Sequence, residues 1–138
     1  VSDDVVELRK VSDESLVGTA PDITKHFIEL RGIGIIDVKQ MFGVESVKDT
    51  QTLNMVINLA EWSKEKDFDR LGLKDNYMEF LGNKVISYDI PIRPGRNVAI
   101  IVECAAINNR AKKMGYNAAQ VLYERVTANM KRQDEAED

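Results

Sequence analysis

Two adjacent carboxylates, Asp3 and Asp4, stand just ahead of the first apolar stretch. Such a pair could offer oxygen ligands to a divalent cation, or one member could serve as a general base. The alternative is a solvated, acidic terminus. Glu29-Leu30-Arg31-Gly32-Ile33-Gly34-Ile35-Ile36 sets a carboxylate and a guanidinium two residues apart, on one side of the chain if it is extended. Gly32 and Gly34 would let backbone N–H groups come close to a ligand. No Gly-Lys-Ser/Thr is present there, so this is not a Walker A loop, and a surface ion pair followed by a glycine turn fits equally well. In Asp67-Phe68-Asp69-Arg70, the arginine is suited to stabilising charge on a transferring phosphoryl group; a local ion pair worth under about 1 kcal/mol is the plainer reading. Arg93-Pro94-Gly95-Arg96 holds two cations on a stiff connector. Proline has already removed part of the ordering cost, which favours an anion clamp over a solvated turn.

These residues need elements to position them. Val5–Val11 reads as a strand beginning close to the first residue. Thr19-Ala20-Pro21-Asp22 predicts a helix start, with Ile23 and Phe27 on one face. Asp37–Phe42 predicts a short helix stopped by Gly43. Thr52–Leu59 is nearly continuous in apolar residues and predicts a strand buried on both faces. Tyr77–Leu81 and Lys84–Ile92 predict two strands around a Gly82-Asn83 turn. Asn97 is the expected cap of a helix carrying Val98, Ile101, Val102, Ala105, Ala106 and Asn109 on one face, with a basic last turn and a stop at Gly115. A last helix spans about Asn117–Lys131, its stripe formed by Val121, Leu122, Arg125, Val126 and Met130. The class is mixed α/β. Residues 133–138 are mostly acidic and are expected to be disordered.

The composition narrows the function. Hydrophobic residues are 43% and charged residues 30% of 138, which excludes disorder throughout. A net charge of −4 argues against non-specific nucleic-acid binding, which needs a basic footprint. No apolar run approaches the roughly 20 residues of a membrane helix, and no export signal is visible. Cys104 is the lone cysteine, so a reducing cytosolic compartment is expected. It lies in an apolar helix and is expected to be buried and inert. His26 and Trp62 are expected to serve packing, Trp62 at the core or its rim. The sequence contains no Cys/His metal cluster and no nucleophile elbow.

Taken together, Asp3-Asp4, the Glu29–Ile36 segment, Asp69-Arg70-Leu71-Gly72-Leu73, Ile92-Arg93-Pro94-Gly95-Arg96-Asn97 and Met114-Gly115-Tyr116-Asn117-Ala118-Ala119 resemble, in order and spacing, the bacterial HPr kinase/phosphorylase family. The resemblance covers essentially the whole chain. It implies an α/β P-loop kinase fold related to phosphoenolpyruvate carboxykinase, present in part, with a mixed sheet and two C-terminal helices. Residues 1–132 would be the C-terminal part of the catalytic domain. The implied activity is bifunctional. With Mg²⁺ and ATP or pyrophosphate, a regulatory serine of the phosphocarrier HPr is phosphorylated. With inorganic phosphate, the phosphoserine is cleaved to give pyrophosphate. The implied setting is carbon catabolite control in the cytoplasm, by a homo-oligomer, a hexamer, acting on HPr and on neither nucleic acid nor membrane.

By position, the resemblance makes Asp4 the acid/base, with Asp3 as a neighbour that could share the role. It makes Glu29 the Mg²⁺ ligand and Arg70 a catalytic arginine. Arg31, Gly32 and Gly34 belong to the signature. Pro91, Ile92, Arg93, Pro94, Gly95 and Arg96 form the stretch tied to dephosphorylation, and the last helix would help receive HPr. The family's phosphate loop lies ahead of the aspartate pair, where this sequence has nothing before Val1. The chain alone is therefore expected not to hold ATP productively, and to expose a sheet edge and apolar surface. The alternative is a non-catalytic HPr-binding or assembly module.

Overall fold

A computed structural model describes residues 1–63, 68, 70 and 72–137. Its elements are β1 (Glu7–Ser12), β2 (Ser15–Thr19), β3 (Phe27–Leu30), β4 (Gly34–Asp37), α1 (Val38–Phe42), a single 3-10 turn (Val44–Ser46), β5 (Thr50–Thr52), β6 (Val56–Glu61), β7 (Asn76–Phe80), β8 (Asn83–Ile92), α2 (Val98–Lys113) and α3 (Ala118–Glu137). The strands form three sheets, ordered β1-β2-β5, β3-β4 and β6-β8-β7. The architecture is mixed α/β with two C-terminal helices. The chain divides into two compact units, one of Val1–Val56 with Tyr77–Ile86, the other of Ile57–Asn76 with Ser87–Asp138.

The first unit is built from antiparallel pairs. β1 and β2 form a hairpin with Leu8 opposite Gly18, and β5 adds to β2 with Val17 opposite Thr52. Leu16 on β2 is the most buried large side chain, at 2% exposure, and its carbonyl accepts from the Leu53 N–H at 2.9 Å. Gly18 is needed for close approach: a Cβ there would meet Val6 Cγ1 at 3.1 Å. β3 and β4 pair with Glu29 opposite Ile35 and Leu30 opposite Gly34. Helix α1 follows, capped by the Asp37 carboxylate, which accepts from the Gln40 N–H at 3.0 Å.

In the second unit, Ile90 and Ser87 of β8 are buried, as is Asn109 of α2. The expected face of α2 turns inward at Val98, Ile101, Val102, Ala105 and Asn109, while Ala106 is exposed. Asn97 caps α2, its side-chain oxygen accepting from the Ile100 N–H at 3.3 Å. Asn117 caps α3 in the same way through Gln120, at 3.2 Å. The apolar residues Leu122, Val126 and Met130 of α3 are all at least half exposed. Among the described residues, no helix is long and apolar enough to cross a membrane.

Several expectations need correction. The helix expected after Thr19 is a single turn. Thr24 and Lys25 donate back to the Pro21 carbonyl, but His26 has φ 73°, which no right-handed helix continues, and Phe27 enters β3 opposite Asp37. The Thr52–Leu59 strand is two strands, β5 and β6, in separate sheets, and β6 is half-buried or exposed along its length. Its first three residues, which alternate between faces, are each half-buried, so neither face is fully covered. The turn after β7 is Leu81-Gly82, both at positive φ, as a two-residue hairpin loop demands. Asn83 is instead a buried strand residue whose amide donates to the Ser12 carbonyl at 2.8 Å.

Candidate functional site

The candidate carboxylates Asp3, Asp4 and Glu29 belong to the first unit. The Asp3 carboxylate accepts from the backbone N–H of Glu29 at 3.0 Å, a bond that spans 26 positions in sequence. It fixes the aspartate pair against the middle of β3, where Glu29 is exposed. Alternation along β3 gives Glu29 the opposite face from half-buried Ile28. Arg31 lies just beyond the strand, in the loop joining β3 to β4, so the extended stretch that would put it on the Glu29 side ends one residue short. The loop is a tight turn: Ile33 N–H donates to the Leu30 carbonyl at 3.0 Å, with Gly32 at φ 89° where a type II turn requires it. The glycines of the signature are thus needed for turn geometry; a Cβ at Gly32 or Gly34 would meet nothing within 4 Å.

These donors suit Mg²⁺. Its habit is one or two protein carboxylates completed by water and phosphate oxygens rather than an all-protein cage. Among the described residues no group of three or more His, Cys, Asp or Glu side chains is placed to enclose a metal. Glu29 beside the aspartate pair fits that partial mode.

The basic residues gather in the second unit. Arg93-Pro94-Gly95-Arg96 closes as a turn, with Arg96 N–H donating to the Arg93 carbonyl at 3.2 Å and Gly95 at φ 84°. Pro94 at the second position and Gly95 at the third are the type II pattern. Pro91 and Ile92 are the last residues of β8 rather than part of a loose connector. Each guanidinium is tethered. Arg96 Nη1 donates to the Pro91 carbonyl at 3.1 Å, and Arg93 stacks over the Trp62 ring, 5.3 Å from its centroid. Together with Arg70, Phe68, Pro94 and Gly95 they line an open cup of about 660 Å³. Among the described residues, none of these three arginines is ion-paired with a carboxylate. Asp67 and Asp69, the acids flanking Arg70 in sequence, lie outside the described residues.

Trp62 is therefore a wall of the cup, 44% exposed, and not a core residue. Its position where β6 ends, with its N–H bonded to the Ile92 carbonyl at 3.1 Å, puts it beside the arginine turn. A cross-strand pairing of that kind has no signature in local sequence. Cys104 is exposed, because it falls off the inward stripe of α2. His26 is buried as expected, with Nε2 3.3 Å from Asp49 Oδ1.

Residues 1–126 match the family described as HPr Serine kinase C-terminal domain. The chain is 68% identical over 130 residues to the HPr kinase/phosphorylase of Lachnoclostridium phytofermentans, covering 94% of this chain and 42% of that protein. It is 58% identical over 137 residues to the HPr kinase/phosphorylase of Caldicellulosiruptor bescii, covering 99% and 44%. The structure of the Hpr(Ser) kinase/phosphatase from Coxiella burnetii is similar with a TM-score of 0.74 at 32% identity, over 90% of this chain and 75% of that one. The chain belongs to the HPr kinase/phosphorylase family, as its C-terminal domain. It spans about two fifths of the length of these curated relatives.

Proposed function

We propose that this chain is the acid/base- and phosphate-handling portion of a bifunctional HPr-serine kinase/phosphorylase. The observation that supports the proposal is the bond from the Glu29 backbone N–H to the Asp3 carboxylate, which joins the aspartate pair to the strand carrying Glu29 across 26 positions. In the kinase direction, Asp4 takes the proton of the serine hydroxyl as its oxygen attacks the terminal phosphorus of ATP or pyrophosphate, the bridging P–O bond breaks, and ADP or inorganic phosphate leaves. Glu29 would hold Mg²⁺, and the chemistry the ion would supply is neutralisation of phosphate charge. Arg70 stabilises the charge of the phosphoryl group in transit. In the reverse direction, inorganic phosphate attacks the phosphoserine, the P–O bond to serine breaks, and Asp4 returns a proton to the departing oxygen. Pyrophosphate leaves. The tethered pair Arg93 and Arg96 holds the attacking phosphate, which that direction alone requires.

The fold is then part of a P-loop kinase fold related to phosphoenolpyruvate carboxykinase. Residues 1–132 supply the catalytic portion, α3 contributes to HPr docking, and the assembly is a cytoplasmic hexamer serving carbon catabolite control. The exposed apolar stripe of α3 is in keeping with a docking role. The test is Asp4→Asn in the complete protein, assayed with HPr in both directions. The expected result is a loss of at least about 10³-fold in each, the scale of a lost general acid/base. Rates near wild type in either direction would end the assignment.

A further inference from the structure

Arg70 itself is a bend residue, in neither helix nor strand, and it is exposed. A guanidinium that must meet a phosphoryl group needs its backbone fixed to within a fraction of an ångström. One side chain is placed to do that. Lys112, in the last turn of α2, has its side chain only 13% exposed. Its ammonium donates to the Gly72 carbonyl at 3.1 Å and stands 3.6 Å from the Asp75 carboxylate. Gly72 has φ 71°, a conformation open to glycine, and a Cβ there would lie 3.8 Å from Lys112 Nζ. Arg70, Gly72 and Lys112 also line one cavity of about 260 Å³, floored by Ala118, Ala119 and Leu122 of α3.

We infer that Lys112 is a positioning residue for Arg70: its buried ammonium ties the Gly72–Asp75 segment to α2 and thereby aims the arginine two residues upstream. The inference rests on the catalytic role proposed for Arg70. A largely desolvated ammonium with a carbonyl and a carboxylate as partners is costly to leave with either one missing, so the tie holds the segment in one arrangement. An arginine at 112 keeps the charge but not the compact, three-donor head, and restores the tie only in part.

The experiment uses the complete protein with Lys112→Met, Lys112→Arg, Arg70→Ala and the Lys112→Met/Arg70→Ala double variant. Lys112→Met is expected to lower kcat roughly tenfold or more in both directions, with KM for ATP and HPr within about twofold. Lys112→Arg should recover part of that loss. The double variant should be no slower than Arg70→Ala alone, because one residue acts through the other. Amide exchange at Gly72 to Asp75 should quicken in Lys112→Met, whatever the activity. Unchanged exchange, or losses that multiply in the double variant, would overturn the inference. Wild-type rates in Arg70→Ala would remove the role of Arg70 and the inference with it; quickened exchange would then mark the failure as lying in the functional reading and not in the tie.

Discussion

The arginine turn sets two cations three positions apart in a chain whose net charge is −4. Arg93 and Arg96 differ in what holds them: an aromatic face for one, a backbone carbonyl for the other. Both tethers lie on uncharged groups, so both positive charges stay available to an anion. Arg93→Ala and Arg96→Ala in the complete protein are therefore expected to slow phosphorolysis by roughly tenfold or more beyond any effect on phosphorylation, the cost of a lost charge-assisted contact. Parallel assays of the two directions check this, and equal losses in both would dissociate the turn from the second phosphate. Asp3 accepts from the Glu29 N–H, a bond that Asp4 does not share among the described residues.

Strand and turn chemistry decide whether the signature segment can form at all. Gly34 sits opposite Leu30 at φ 113°, with open space around it. Gly34→Ala should cost about 1–2 kcal/mol in denaturant unfolding, all of it conformational, since left-handed backbone penalises any Cβ. Gly18→Ala is the informative contrast. No positive φ is recorded there, but the new methyl would crowd Val6, whose half-exposed side chain can yield. A smaller loss at Gly18 than at Gly34 is expected. The reverse order would mean that packing, not turn geometry, dominates these sheets.

Few large side chains among the described residues are deeply buried. Leu16 and Val85 serve the first unit and Ile90 the second, while Ile23, Ile33 and Met114 are at least three-quarters exposed. Such a thin core makes each of its members count. Leu16→Ala is expected to cost about 2–5 kcal/mol, the range for truncating a buried leucine. Chemical denaturation measures the loss, and faster amide exchange should appear in β2 and β5, which pair from Val17 to Thr19, immediately after that residue. A cost below about 1 kcal/mol would place the first unit's stability elsewhere.

Local chemistry announced a good part of this protein. The caps at Asp37 and Asn97, the stops at Gly43 and Gly115, and the Pro-Gly turn between Arg93 and Arg96 depend on residues within four positions of one another. So their outcome is written in the segment itself. The motif set that marks the family is likewise a matter of order and spacing along the chain. What came only from folding are pairings between distant residues: Asp3 with Glu29, Arg93 with Trp62, Lys112 with Gly72, Asn83 with Ser12. The false helix at Pro21 and the single strand drawn through Leu53 have the same origin. In both places the local pattern favoured one element. The gain from pairing Phe27 with Asp37, and Val17 with Thr52, came from strands the pattern could not see, and it outweighed the local preference.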